Sequence, residues 1–356
     1  MNKYIKHGLD RSEDPQQIAD RMLYPDVARC AATIGVIVLH ICGGMMWALT
    51  PSMWQFKWLA TMDTMMNFVI GSFLMLSGMF LLSPEKQVTL SQLFRKYIFR
   101  LVIAYVIWSS AYAVFMAWYD GVLLAEGLHG LWVRFYNGHY HLWFLPMMIG
   151  VYLTTPFFRA ITEKRNAQLL HYVFAILVFF NVFYPNSCSI FPTVSNIIER
   201  IDPSWFGIHA TYFFAGYYFS RMQMSRSGKY IWLLVLFVSA IWFVYSVYAG
   251  SLELGMLDES QWCEDWILKA IYTVSVFMAF RNYGDKVSRF PKVCWFVRKL
   301  AGMSFTVYLC HDLFIKILAR LGFHSLTWHP LISVPVLSVT VLSASIALCS
   351  CFSAGN

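Results

Sequence analysis

The chain has 356 residues, 58% of them hydrophobic and only 13% charged, with a formal net charge of +8. Its mean hydropathy is +0.55. A soluble domain carries about 25% charged residues, so a water-soluble globular fold is excluded. Continuous apolar stretches of about 20 residues also exclude a barrel of short alternating strands.

Residues 1–25 are polar and mixed in charge, without a short apolar region and small-residue cleavage site. They are expected to form a cytoplasmic N-terminal segment rather than a removable signal peptide. Residues 26–352 then read as one all-α, polytopic transmembrane bundle of about ten spans. The spans are predicted near 27–48, 60–82, 99–119, 142–160, 169–186, 205–220, 230–250, 265–281, 301–319 and 331–351. Of the 27 Lys and Arg residues, 21 fall in the segments that become inner if the N-terminus is inside, and only Lys57, Arg134, Arg200 and Arg320 fall outside. The positive-inside rule therefore places both termini in the cytoplasm. The concentrated positive charge suits anionic headgroups, and no nucleic-acid partner is expected.

On the first span, Arg29 and His40 are eleven residues apart. Eleven steps of about 100° come close to three full turns, so the two side chains share one face, about 16 Å apart along the axis. Composition alone yields about one such pair by chance. Depth is the stronger signal, because an ionisable group far inside a bilayer is costly and is by default a functional candidate. Arg29 at the inner surface suits a phosphate, and His40 can exchange a proton near neutral pH. Asp26 lies one turn before Arg29 and can orient it. Ordinary membrane anchoring for Arg29 and an interhelical hydrogen bond for His40 are the competing readings.

Farther along, Asn67 stands in the apolar stretch that leads to Leu76-Ser77-Gly78. The small residues Gly71 and Gly78 read as close helix packing, and Asn67 as either a packing amide or a site residue. Arg95, Lys96 and Arg100 form a basic group before the third span, suited to phosphate or to lipid. His141 and Trp143 open the fourth span and read as a sugar-handling pair or as part of the interfacial aromatic belt. Ser304 to Asp312 brings a second intramembrane histidine, His311, with Tyr308 one turn before it. Cys30, Cys42, Cys310, Cys349 and Cys351 read as small core residues. Cys188 and Cys263 fall in outer loops and are free to pair or not. No Cys/His spacing suits a metal, and neither a metal nor a permanently bound cofactor is expected.

In this order these segments resemble the acyltransferase-3 family of integral membrane acyltransferases. The matching elements are Arg29 and His40, the Phe73–Leu82 segment, Arg95-Lys96 with Arg100, His141-Leu142-Trp143-Phe144-Leu145, Tyr212-Phe213-Phe214-Ala215-Gly216-Tyr217-Tyr218, and Ser304 through His311. The resemblance spans about residues 24–345. It implies transfer of an acyl group, usually acetyl, from cytoplasmic acyl-coenzyme A to a hydroxyl of a cell-envelope glycan or lipid-linked sugar. Residues 26–352 would then be the acyltransferase domain of a multi-pass protein of the bacterial cytoplasmic (inner) membrane, with lipid around it and homo-oligomerisation left open. It further implies His40 and Arg29 as catalytic residues. Arg29, Lys96, Arg100 and Arg95 would bind the donor. Asp26, Asn67, His141, Trp143, Tyr308 and His311 would serve the acceptor or support the site. The sequence departs from the family pattern in lacking a basic tail after the last span and an appended extracytoplasmic domain. Two other functions stay open: a proton-coupled transporter or flippase using His40 and His311, and a non-catalytic subunit of an envelope assembly complex.

Overall fold

In the computed structural model, residues 22–187, 207–263 and 266–354 are described, and these residues contain helices and no strand. In chain order the helices are α1 (Tyr24–Met46), α2 (Trp54–Met66), α3 (Val69–Leu81), α4 (Phe99–Tyr119), α5 (Leu123–Asn137), α6 (Phe144–Leu153), α7 (Thr155–Thr162), α8 (Ala167–Val178), α9 (Gly207–Arg221), α10 (Arg226–Leu254), α11 (Ile267–Tyr283), α12 (Pro291–Arg320) and α13 (Pro330–Ala354). Seven apolar helical stretches are long enough to cross a membrane, and a pair bent by 44°, Tyr140–Leu153 with Thr155–Thr162, makes an eighth. The predicted spans at 205–220 and 265–281 coincide with α9 and α11. These are helical but only 15 and 17 residues long, shorter than the roughly 20 residues of a typical crossing. The predicted second span starts earlier than expected, at Trp54, and breaks after Met66 into α2 and α3.

The described residues divide into two compact units, those within 1–69, 224–258 and 271–356 in one, and those within 70–223 and 259–270 in the other. In the first unit, α1 packs against α2, α12 and α13. Its start is fixed by a distant side chain: Asp285 Oδ1 accepts from the backbone N–H groups of Leu23 and Tyr24, each at 2.8 Å. Those donors have no partner within the helix, and Pro25 in the first turn brings no N–H of its own. Close approach at this end needs Gly284, where an added Cβ would lie 2.8 Å from the Tyr24 Cβ. The Cys30 thiol donates to the Val297 carbonyl at 3.0 Å and ties α1 to α12.

In the second unit, α3 and α9 touch backbone to backbone. A Cβ on Gly78 would fall 1.7 Å from the Phe213 carbonyl oxygen, and one on Gly216 would fall 1.9 Å from that of Met75. The sequence expectation that Gly78 serves helix packing is what the structure shows. Two sequence segments singled out independently, Leu76-Ser77-Gly78 and Tyr212–Tyr218, are thus the two sides of one contact, and the Tyr152 hydroxyl reaches Ser77 Oγ at 3.4 Å beside it. After α3 the chain is clipped down by charge. Buried Arg159 donates to the Leu81 and Ser83 carbonyls at 2.9 and 3.2 Å and to Glu163 at 2.7 Å. Glu85 accepts from Ser83 and from Arg221. The Ser83 hydroxyl first, with a backbone N–H and Arg221, holds the Glu85 carboxyl down to about 2. Thr89 then opens the next helix with a reciprocal cap to Gln92, and Leu93–Ile98 widens to a π-helical turn before α4.

Cys30, Cys42, Cys310 and Cys349 are buried as expected, whereas Cys351 is exposed. It sits near the end of α13, beyond the packed part of that helix. Cys188 lies outside the described residues, and so does its pairing with Cys263.

Two outcomes test this packing. Gly78→Ala or Gly216→Ala forces helix backbones apart and should cost at least about 1–3 kcal/mol, read as a lower melting temperature and a smaller monodisperse peak in detergent. Glu85→Gln should lower the melting temperature at neutral pH. Because the folded carboxyl is held below its ordinary value near 4.5, the wild-type advantage is complete above that value. It should shrink as pH falls towards about 2.

Candidate active site

The first unit gathers the ionisable residues of α1 and α12. Arg29 is about a third exposed, and its Nη1 lies 3.8 Å from Oδ1 of the buried Asp26. This is the one-turn pairing read from the sequence. The Arg29 carbonyl accepts from the Thr33 hydroxyl at 2.8 Å. His40 follows on the same helix and is half-buried.

Against His40 stands His311 of α12. Their ring centroids are 5.1 Å apart with planes 25° from parallel. His311 is fully buried. Its Nδ1 lies 2.6 Å from the Tyr308 carbonyl oxygen. A carbonyl only accepts, so Nδ1 carries the proton, and in the neutral ring the lone pair is on Nε2. The carbonyl thereby sets both the tautomer and the ring plane that His40 stacks on. Tyr308 is buried one turn earlier, its ring 6.0 Å from that of His311. Asp312, next in sequence, is also fully buried.

The sequence reading overlooked Asp63. It is the only acidic residue between Asp26 and Glu85, it lies in α2, and it is 2% exposed. The Asn67 side-chain amide donates to the Asp63 carbonyl at 3.1 Å and to Oδ1 at 3.2 Å. Asn67, read as a packing amide or a site residue, is therefore the partner of a buried carboxylate. A lone acid in an otherwise apolar stretch was the available signal.

The remaining expected residues belong to the second unit. Arg95, Lys96 and Arg100 are all exposed, with the Lys96 ammonium 6.0 Å over the Tyr97 ring. His141 and Trp143 occupy a short 3-10 turn, Tyr140–Trp143, that points them differently. His141 is buried, its Nδ1 3.0 Å from Nδ1 of His139, and its ring 5.0 Å from Tyr112. Trp143 is exposed and lies 6.0 Å from His209. Lys269, placed within a span by the sequence, is buried, with its ammonium donating to the Trp262 carbonyl at 2.6 Å.

An imidazole stacked on a second one of fixed tautomer, on the helix that also carries Arg29, is a constellation for moving a proton beside an anionic ligand. The acyltransferase-3 family profile, an acyltransferase domain, matches residues 22–353. The chain belongs to the acyltransferase-3 family. No match was found among curated proteins or among solved structures. With its apolar helices, this acyltransferase-3 chain is a multi-pass membrane acyltransferase.

Proposed function

We propose that this protein transfers an acyl group, acetyl in the first instance, from cytoplasmic acyl-coenzyme A to a hydroxyl of a cell-envelope glycan or lipid-linked sugar. The observation that carries this reading is the His40–His311 stack on the helix that also bears Arg29. Half-burial leaves His40 open to a reactant while its far face rests on a ring that cannot turn.

In this reading both termini are cytoplasmic, ten segments cross a bacterial inner membrane, and α9 and α11 are short crossings. Arg29, oriented by Asp26, takes a donor phosphate at the inner surface. The pantetheine arm is comparable in length with the 16 Å or so from Arg29 to His40, so the thioester reaches the imidazole while the nucleotide stays at the surface. His40 takes the proton from the acceptor hydroxyl, whose oxygen attacks the thioester carbonyl. The new C–O bond forms, the C–S bond breaks, and the leaving thiolate recovers the proton from His40. Tyr308 and His311 hold the base. Asn67 fixes the direction of the buried Asp63 carboxylate, and within the second unit Trp143 offers an exposed aromatic face for a sugar.

The experiment is label transfer from radioactive acetyl-coenzyme A in membrane vesicles, followed by mass spectrometry of the envelope glycans for a gain of one acyl mass. His40→Ala should reduce transfer by about 10²–10⁴-fold with the protein still folded in the membrane, and retained transfer removes His40 from the chemistry. Arg29→Ala should raise the donor KM by about tenfold or more, the loss of one charge-assisted contact, with acceptor dependence unchanged. Substrate movement across the membrane without any acyl donor would favour a transporter instead.

A further inference from the structure

We propose that Asp63 is a positioning residue for His40: a buried carboxylate that orients the imidazole and balances the charge it gains during transfer. This rests on the reading of His40 as the base.

The starting point is cost. A carboxylate buried within a membrane-crossing helix is costly and calls for compensation. Asp63 is 2% exposed, so lipid headgroups and bulk water do not repay that cost. One part of the compensation is visible in Asn67, whose amide takes Oδ1 at 3.2 Å. That bond is local, four residues along the same chain, and fixes which way the carboxylate faces.

The other oxygen faces α1. A Cβ built on Gly43 would stand 3.7 Å from Asp63 Oδ2, the one atom within 4 Å of it. That distance is ordinary van der Waals contact, so the carboxylate oxygen lies directly against the α1 surface at Gly43. His40 lies three residues before Gly43, about 60° away around the axis and about 4.5 Å along it. Asp63 is therefore presented to α1 one turn from His40, on a helix that packs directly against α1.

The two neighbours of His40 have complementary duties. His311 supplies a flat ring of set tautomer, but its Nδ1–H is committed to the Tyr308 carbonyl, and a second ring takes no positive charge well beside a first. When His40 accepts the acceptor's proton it becomes a cation inside a region of low dielectric. A carboxylate already in place there stabilises that cation without reorganisation. The polar groups of α2 thus serve the reaction, which explains an acid where packing alone would select an apolar residue.

The test pairs an activity arm with a spectroscopic arm. Asp63→Asn keeps the volume and the contact with Asn67 but removes the charge. It should lower kcat for acetyl transfer by about 10²–10⁴-fold, the range that general-base catalysis supplies, while the donor KM stays within about twofold. Asp63→Glu should recover part of kcat. In protein with ¹⁵N-labelled histidine, the ring resonances of His40, assigned by their loss in His40→Gln, should shift in Asp63→Asn. Unchanged kcat together with unchanged His40 resonances, in a variant that elutes as a folded monodisperse species, would overturn the proposal. If His40→Ala leaves transfer intact, the base assignment fails instead, and the resonances alone then decide whether Asp63 and His40 interact.

Discussion

One carboxylate fixes the start of the helix on which the site is built. Asp285 accepts two backbone N–H groups at the head of α1 from 261 and 262 residues away. Hydrogen bonds to a charged group are worth about 1.5–3 kcal/mol each, and a negative charge also suits the positive end of a helix. The consequence is positional. With its first turn pinned to the segment between α11 and α12, α1 cannot slide along its axis, so Arg29 and His40 keep their depths. The stack of His40 on His311 requires α1 and α12 to keep one register, and the Cys30–Val297 contact supports the same register nearer the start of α1.

Around that axis the first unit solves the problem of polar groups in an apolar medium by making them serve one another. Asp26 faces Arg29, Asn67 holds Asp63, and the Tyr308 carbonyl holds His311. Each is a bond within one or two turns of the same helix, which costs little chain entropy to form. What remains for the tertiary structure is to bring the sides of those local pairs together, and α1 does so by touching α2 and α12.

Much of this was legible in the sequence because it depends on local period. The shared face of Arg29 and His40 follows from helical spacing alone, and the apolar runs follow from bilayer thickness. The aromatic and glycine-rich segments were recognisable too, although their mutual contact was not. Features with long sequence separation escaped. Nothing near Tyr24 points to Asp285, and nothing near His40 points to His311 beyond both being histidines in apolar stretches. Asp63 was passed over for a different reason: a single acid hardly lowers the hydropathy of a long window, so a span is recognised and its exception is lost. Side-chain direction in a short turn was equally hidden, as with His141 turned in and Trp143 turned out within four residues. The exposure of Arg95, Lys96 and Arg100 agrees with their place before the third span.

The α3–α9 contact has an evolutionary consequence. At most tight interfaces a larger residue on one side is accommodated by a smaller one opposite. Here the obstacle facing each glycine is the main chain of the other helix, and a main chain has no smaller version. Neither position can trade volume with a partner, so drift at both is closed off together, and descendants of this chain must keep two residues that never take part in any chemistry.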